Sequence, residues 1–297
     1  MKKVSPSLGR FFFVVTSSRN TIKVKTTLFF LLSFLTSIAC YPQKNNCVLN
    51  NTAFAPGESL TYEIYYNWGF IWISSGEVTF KVERDNYKGN KCWKFSGVGK
   101  TYPKYDWFYK VRDTYASWVD STSLLPYRYL RDSKEGPNNI YNDNYFNYSK
   151  SRITAYTTEN NKPIKTDTLS INPNNCAYDV TSMIYYARTI DFSKSKVGDK
   201  IPIYLYLDNK FYNQYIKYLG KETIETDLGK FKCVKFSPLL IEGTIFKSGD
   251  DMVVWVTDDE NKIPIRIETP IVVGGIQVTV KKYSGLKNPL SAKLPNK

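Results

Sequence analysis

Residues 174–192 read Asn174-Asn-Cys-Ala-Tyr-Asp-Val-Thr-Ser-Met-Ile-Tyr-Tyr-Ala-Arg-Thr-Ile-Asp-Phe192, the one stretch of the chain with clear helical periodicity. Ala177, Val180, Met183, Ile184 and Ala187 fall on one helical face, which predicts a helix at 176–190. Asn174 or Asn175 would cap its start, and Asp179 would sit favourably near the positive end of the helix dipole. On both sides of this segment lie long runs with strand alternation. The chain is therefore expected to be mainly β, with one central helix.

The flanking runs align with one another. Gly57-Glu-Ser-Leu-Thr-Tyr-Glu-Ile-Tyr-Tyr66 alternates like Gly198-Asp-Lys-Ile-Pro-Ile-Tyr-Leu-Tyr-Leu207. Lys91-Cys-Trp-Lys-Phe-Ser96 matches Lys232-Cys-Val-Lys-Phe-Ser237, and both landmarks are offset by 141 residues. Asp113 with Trp118-Val matches Asp250 with Trp255-Val, and Leu125-Pro-Tyr-Arg-Tyr129 matches Ile263-Pro-Ile-Arg-Ile267. Landmarks recurring in order imply an internal duplication, with pseudo-repeats at about 55–130 and 196–285. Turns such as Asp85-Asn-Tyr-Lys-Gly89 and Asp258-Asp-Glu-Asn-Lys262 would join the strands. The expected fold is an antiparallel curved sheet or barrel, with the helix over an opening or against the concave side. Residues 131–175 read as added hairpins, and the polar tail after Val280 as frayed.

Residues 1–40 read as a signal peptide, which leaves 41–297 as a single β-rich domain. Lys23 and Lys25 precede the apolar run Leu28–Ile38, with Ser37 and Ala39 as small residues before Cys40. That run is too short to span a bilayer. Acylation of Cys40 is the alternative, although Ser37 stands where a lipobox usually has Leu. The segment before Lys23 is unusual for a signal peptide and predicts a true start at Val24. The expected setting is a soluble exported protein, or a lipoprotein anchored through Cys40.

Of 297 residues, 24 are Tyr and 17 are Phe, enough apolar mass for a core and weighted towards strands. Net charge is +14, but six Lys or Arg and no acids fall in the first 40 residues, leaving 35 basic against 27 acidic side chains. These are interspersed and form no dense stripe, so a nucleic-acid partner is not expected. There is no histidine. Ser-His-Asp and Cys-His catalysis and histidine metal sites are thereby excluded. The acidic runs at Asp250-Asp251 and Asp258-Asp259-Glu260 lack the ligand spacing of calcium loops, and no metal or cofactor is expected.

Apart from Cys40 the cysteines are Cys47, Cys92, Cys176 and Cys233, with no CxxC pair. Cys92 and Cys233 lie in strand-like runs and read as small buried hydrophobes. A Cys47–Cys176 bridge would tie the incoming chain to the helix.

Ala53-Phe-Ala-Pro-Gly-Glu-Ser-Leu-Thr-Tyr62, Ser75-Gly-Glu-Val78, Val111-Arg-Asp113, Tyr178-Asp-Val-Thr-Ser-Met183 with Ala187-Arg188, and Trp255 with Ile263-Pro-Ile-Arg266 together resemble a bacterial exported family, domain of unknown function 3108. The resemblance covers most of residues 47–290. It implies cysteines at the positions of Cys47 and Cys176, which adds to the disulfide expectation, and it implies no chemistry. The Trp-Val-Asp and Pro-x-Arg pieces are also similar to strands of periplasmic lipoprotein carriers, which would imply a lipid-binding concavity.

Large aromatics at the tip Tyr65-Tyr-Asn-Trp-Gly-Phe-Ile-Trp72 suggest a lip for an apolar ligand or a membrane surface, unless the tip folds back under the helix. Trp68, Phe70, Trp72 and Trp107 would supply contact area, with Met183 and Ile184 as the floor. The run Tyr102–Tyr109 would line the same opening, and its mixture of aromatics with Asp and Lys also suits a glycan. Glu58, Glu63 and Glu77 are the carboxylates to weigh as an acid/base pair, although Glu58 reads as solvated. Arg128 and Arg266 are expected to pair with acids such as Asp113 and Asp250. The leading reading is non-catalytic binding of a lipid or lipid-linked glycan, with peripheral membrane contact. The alternative is a structural or interaction scaffold, and a carboxylate-based glycan enzyme ranks third. No signal for an oligomeric state is present.

Overall fold

The computed structural model describes residues 47–68, 71–172, 175–241, 249–271 and 274–295. Their strands are β1 (Ser59–Trp68), β2 (Ile71–Tyr87), β3 (Asn90–Thr101), β4 (Val111–Val119), β5 (Pro126–Glu135), β6 (Asn138–Asn147), β7 (Arg152–Glu159) and β8 (Lys165–Ser170). After these come β9 (Ala177–Tyr178), helix α1 (Val180–Ala187), β10 (Lys200–Leu207), β11 (Lys210–Thr226), β12 (Gly229–Pro238), β13 (Val253–Thr257), β14 (Pro264–Pro270) and β15 (Gly275–Ser284). All fifteen strands join in one sheet, ordered β8-β7-β6-β5-β4-β3-β2-β1-β15-β14-β13-β12-β11-β10-β9. Only the two-residue β9 runs parallel to its neighbour. Among the described residues the protein is mainly β with one α-helix, and the large curved sheet is not closed by a backbone ladder.

Side chains bridge the open seam between β8 and β9. The β10–β11 turn residues Asp208 and Asn209 both have positive φ, as a two-residue hairpin loop of this hand requires. Asn209 Nδ2 donates to Asp167 Oδ2 of β8 at 2.9 Å, and Asn142 Nδ2 of β6 donates to Asp208 Oδ1 at 3.3 Å. The Phe146 ring of β6 meets the Tyr206 ring of β10 edge-on, with centroids 5.2 Å apart.

One arrangement occurs twice in the sheet. Trp118 lies between Lys94 and Arg128 on its neighbouring strands, and its Nε1 donates to Asp85 at 2.8 Å. Trp255 lies between Lys235 and Arg266, and its Nε1 donates to Glu222 at 3.0 Å. Asp85 stands opposite Cys92 and Glu222 opposite Cys233, and both cysteines are free and buried. Each half carries a glycine of positive φ before its first strand, Gly57 and Gly198.

Helix α1 fills the concave face and is shorter than its apolar spacing predicts. Ala177 and Tyr178 are extended because they pair with Tyr204 and Leu205 of β10. The cap is therefore Asp179 instead of Asn174 or Asn175, and its Oδ1 accepts from the amides of Thr181 at 2.8 Å and Ser182 at 3.0 Å. Tyr185 stacks on Phe95 of β3 with centroids 3.9 Å apart and meets Phe54 edge-on, in the centre of the largest apolar cluster. Met183 packs on the edge of that cluster.

The segment after β15 is held down, contrary to the expectation of a frayed tail. The Lys232 amide donates to the Ala292 carbonyl at 2.9 Å, and Leu286 and Leu290 cover a second apolar cluster that contains Tyr62, Phe231 and Trp255. Its polar letters hid two leucines spaced to reach one hydrophobic surface.

Cys47 and Cys176 form a disulfide, with Cα atoms 5.6 Å apart. Glu58, which as a turn residue reads as solvated, is 1% exposed, and Arg188 at the end of α1 is 2% exposed. Arg188 Nη1 lies 2.5 Å from Glu58 Oε1 and Nη2 lies 2.8 Å from Oε2. Nε and Nη2 also donate to the Asn261 carbonyl, at 3.2 and 2.9 Å. This bidentate pair locks the entry to β1, the helix and the β13–β14 turn together.

Candidate functional site

Because successive strands alternate in direction, every second hairpin tip falls at the same end of the sheet. One end carries the β1–β2 tip, the β3–β4 loop, the β5–β6 turn and the β14–β15 tip. Exposed apolar side chains concentrate there: Ile71, Trp72 at 46%, Trp107 at 83%, Phe108 and Tyr109. Trp107 and Phe108 meet edge-on with centroids 5.9 Å apart. Tyr109 is held against the β5–β6 turn by a 3.2 Å hydrogen bond from its hydroxyl to the Glu135 carbonyl. Lys104 and Lys110 stand on the same loop, so the apolar rim has basic neighbours. Backbone packing at the rim is close, since a Cβ on Gly274 (φ +85°) would fall 2.2 Å from the Asn67 carbonyl.

Of the expected contact residues, Trp72 and Trp107 are on this rim. Trp68 ends β1 at the same end, and neither its side chain nor any part of Phe70 falls within the described structure. Met183 and Ile184 lie on α1, which packs on β3, β4, β9 and β10, and Met183 is partly buried against the main apolar cluster. Cys40 and the segment 1–40 lie outside the described residues.

Glu63 and Glu77 do face one another across β1 and β2. Lys281 of β15 enters between them, 2.7 Å from Glu63 and 3.6 Å from Glu77. Tyr102 donates to Glu63 at 2.8 Å, and Ser74 donates to it as well. Burial alone would raise Glu63, but hydrogen bonds from Lys281, Ser74 and Tyr102 outweigh it and hold the carboxyl below its ordinary value. Lys281 is raised above its ordinary value, chiefly by its hydrogen bonds to Glu63 and Tyr102. Both groups are thus fixed in their charged forms, the opposite of what a proton donor requires.

Arg128 and Arg266 pair with acids as expected, though with Asp143 and Glu268 instead of Asp113 and Asp250. Arg128 forms a bidentate pair with Asp143 at 2.7 and 2.9 Å, because β6 is its immediate neighbour. Arg266 donates to the Glu225 carbonyl at 2.7 Å. Asp113 accepts from Ser133, and Asp250 pairs with Lys217 at 2.7 Å.

At the opposite end of the sheet lies a cleft of about 870 Å³ that local sequence reading missed. Its walls come from the β2–β3 turn, the start of β5 and the β6–β7 connection. Tyr87 and Tyr127 stack with centroids 5.9 Å apart and planes 4° from parallel, and Tyr145 meets Tyr156 edge-on at 5.9 Å. The tyrosine hydroxyls are anchored from behind: Tyr127 donates to Asp120 at 3.1 Å and Tyr145 to Asp143 at 2.8 Å. Burial, aided by these carboxylates, pushes both phenols up to about 12, so they stay neutral donors. Lys88 occupies a two-residue turn with Gly89, both at positive φ, which aims its Nζ 5.3 Å from the Tyr87 ring and 5.5 Å from the Tyr145 ring. Arg152 adds a second exposed cation to the lining.

Beneath α1 a row of buried polar side chains crosses the sheet: Ser117, Tyr129 and Asn144 are register neighbours on β4, β5 and β6. Ser117 donates to Asp179 Oδ1 at 2.6 Å. Burial raises the Asp179 carboxyl above its ordinary value. Among the described residues, no group of three or more His, Cys, Asp or Glu is placed to hold a metal ion. No helix of the described residues is long and apolar enough to cross a membrane.

Residues 61–281 match the family described as "Protein of unknown function (DUF3108)", and the chain belongs to that family. No curated protein matches the sequence. Among solved structures, the chain is similar to a beta-barrel-like protein of domain of unknown function DUF1849 from Brucella abortus. That likeness has a TM-score of 0.51 and 9% identity, and covers 78% of this chain and 98% of that one. It supports the barrel-like fold.

Proposed function

We propose that this member of DUF3108 is an exported, non-catalytic binder of an amphipathic envelope molecule, a lipid or lipid-linked glycan, and that it engages its target through the apolar rim. The observation that carries the reading is the gathering of Ile71, Trp72, Trp107, Phe108 and Tyr109 in solvent on neighbouring hairpin tips. Exposed aromatics beside lysines suit an interface with acyl chains on one side and anionic headgroups on the other. The Cys47–Cys176 disulfide fits an oxidising compartment, and residues 1–40 fit a signal peptide, with acylation of Cys40 as the alternative. Glu63 and Lys281, held in their charged forms, argue for binding over catalysis.

The test is tryptophan fluorescence of the mature protein with vesicles of phosphatidylethanolamine and phosphatidylglycerol. Binding should blue-shift the emission and allow quenching by brominated acyl chains. The Trp107→Ser/Phe108→Ser variant should lose on the order of 3 kcal/mol of vesicle affinity with an unchanged melting temperature. No shift with any vesicle, together with a lipid-free mass of protein taken gently from cell envelopes, would count against the reading. The same mass would report the mature terminus and any acyl group on Cys40. A scaffold is the second reading, favoured by one observation: α1 packs the concave face with Tyr185, Phe54 and Phe95.

A further inference from the structure

We propose that the tyrosine cleft at the end of the sheet away from the rim is a second binding site, for a pyranose ring carrying a carboxylate or phosphate within an acidic glycan. The proposal does not depend on the rim, since the two sites share no residue. The cleft volume, about 870 Å³, accommodates a short stretch of a chain ligand. Its walls are amphipathic rings held rigidly: Tyr87 stacks on Tyr127, and Tyr145 is fixed by Asp143 and by the Arg128 guanidinium 5.4 Å from its ring. Flat faces with neutral hydroxyls at their edges suit the C–H face and the hydroxyl edge of a sugar together.

Charge selects among sugars. No carboxylate lines the cleft, whereas Lys88 and Arg152 both do. The two acids behind the wall are already engaged, Asp143 by Arg128 and Tyr145, and Asp120 by Tyr127, Thr122 and Ser123. An incoming anion therefore meets two cations and no uncompensated acid. Asn90, Asn147 and Ser149 complete the lining with neutral donors and acceptors.

The experiment is calorimetric titration of the mature protein at low salt with oligogalacturonate, with glucose 6-phosphate, and with a cello-oligosaccharide of the same length as the uronate. Saturable binding of an acidic probe and weaker binding of the neutral one are expected. Which acidic probe binds more tightly identifies carboxylate or phosphate as the preferred anion. Lys88→Gln and Arg152→Gln alter exposed side chains and should each weaken the acidic probe by about fivefold, an effect that added salt diminishes. Tyr156→Ala should weaken it by about tenfold. Unchanged melting temperatures identify these as losses of binding. No saturable binding of either acidic probe, or equal binding of the neutral sugar unaffected by Lys88→Gln and Arg152→Gln, would overturn the proposal.

Discussion

Replacing Arg188 by Met removes the guanidinium that faces Glu58 and leaves a buried carboxylate with no cation. The structure sets the scale of the loss. Arg188 makes two close contacts with Glu58, at 2.5 and 2.8 Å, and two with the Asn261 carbonyl, at 3.2 and 2.9 Å. Breaking one partner of a buried ion pair costs about 3–5 kcal/mol, and an unsatisfied carbonyl adds about 1–3 kcal/mol. A loss of about 5 kcal/mol lowers the melting temperature of a domain this size by about 10 °C or more. Glu58→Leu/Arg188→Met removes both charges and should recover much of that loss, since the desolvation of the pair vanishes with it. The assay is urea unfolding of wild type, both single variants and the double variant, analysed as a double-mutant cycle. A coupling of about 2 kcal/mol or more is expected. Arg188→Met melting within about 2 °C of wild type, or single losses that simply add in the double variant, would refute the argument that the pair holds these elements together.

Reduction of the disulfide should destabilise the fold by about 5 kcal/mol on chain-entropy grounds, because it closes a loop of 129 residues. Thermal melting of Cys47→Ser/Cys176→Ser against wild type, with and without reductant, measures it, and only the wild type should respond to reductant. Burial, with Glu135 adding to it, raises Asp113 to about 6. A raised carboxyl binds its proton more tightly in the folded state, so this group's contribution to stability falls as pH rises from about 4 to about 6. Asp113→Asn should therefore stabilise by about 1 kcal/mol at pH 8, after allowance for its partial exposure, and by nothing at pH 3. Equal melting shifts at both pH values would contradict the assignment.

Alternation made the mainly β character legible, and the apolar stripe marked the one helix. The helix starts later than the stripe predicts, for a definite reason. Ala177 fits the stripe, yet it and Tyr178 pair with Tyr204 and Leu205 on the β10 edge, and no helical period reports a tertiary strand pairing. Glu58 was unreadable for the same kind of reason, because its partner stands 130 residues away. The rim was half visible, since Trp72 and Trp107 are large residues in turn-like contexts, but their shared end follows only from strand direction. The cleft left no local mark at all. Its tyrosines are scattered from Tyr87 to Tyr156 and meet only through the successive registers of β2 to β7. The signal that was available was compositional: tyrosine is abundant, at 24 residues.

The pairing of β1 with β15 bears on the order in which the molecule can be made. Ser59 meets Ser284, a separation of 225 residues. A contact of that span carries a large closure entropy and forms late. Until the last strand is synthesised, β1 presents an unpaired ladder edge while β2 to β8 are free to zip locally as hairpins. A nascent chain thus carries a sticky, aromatic-rich edge for almost the whole of its production. Its assembly is a race between completion of the C-terminal strand and pairing of that edge with another chain.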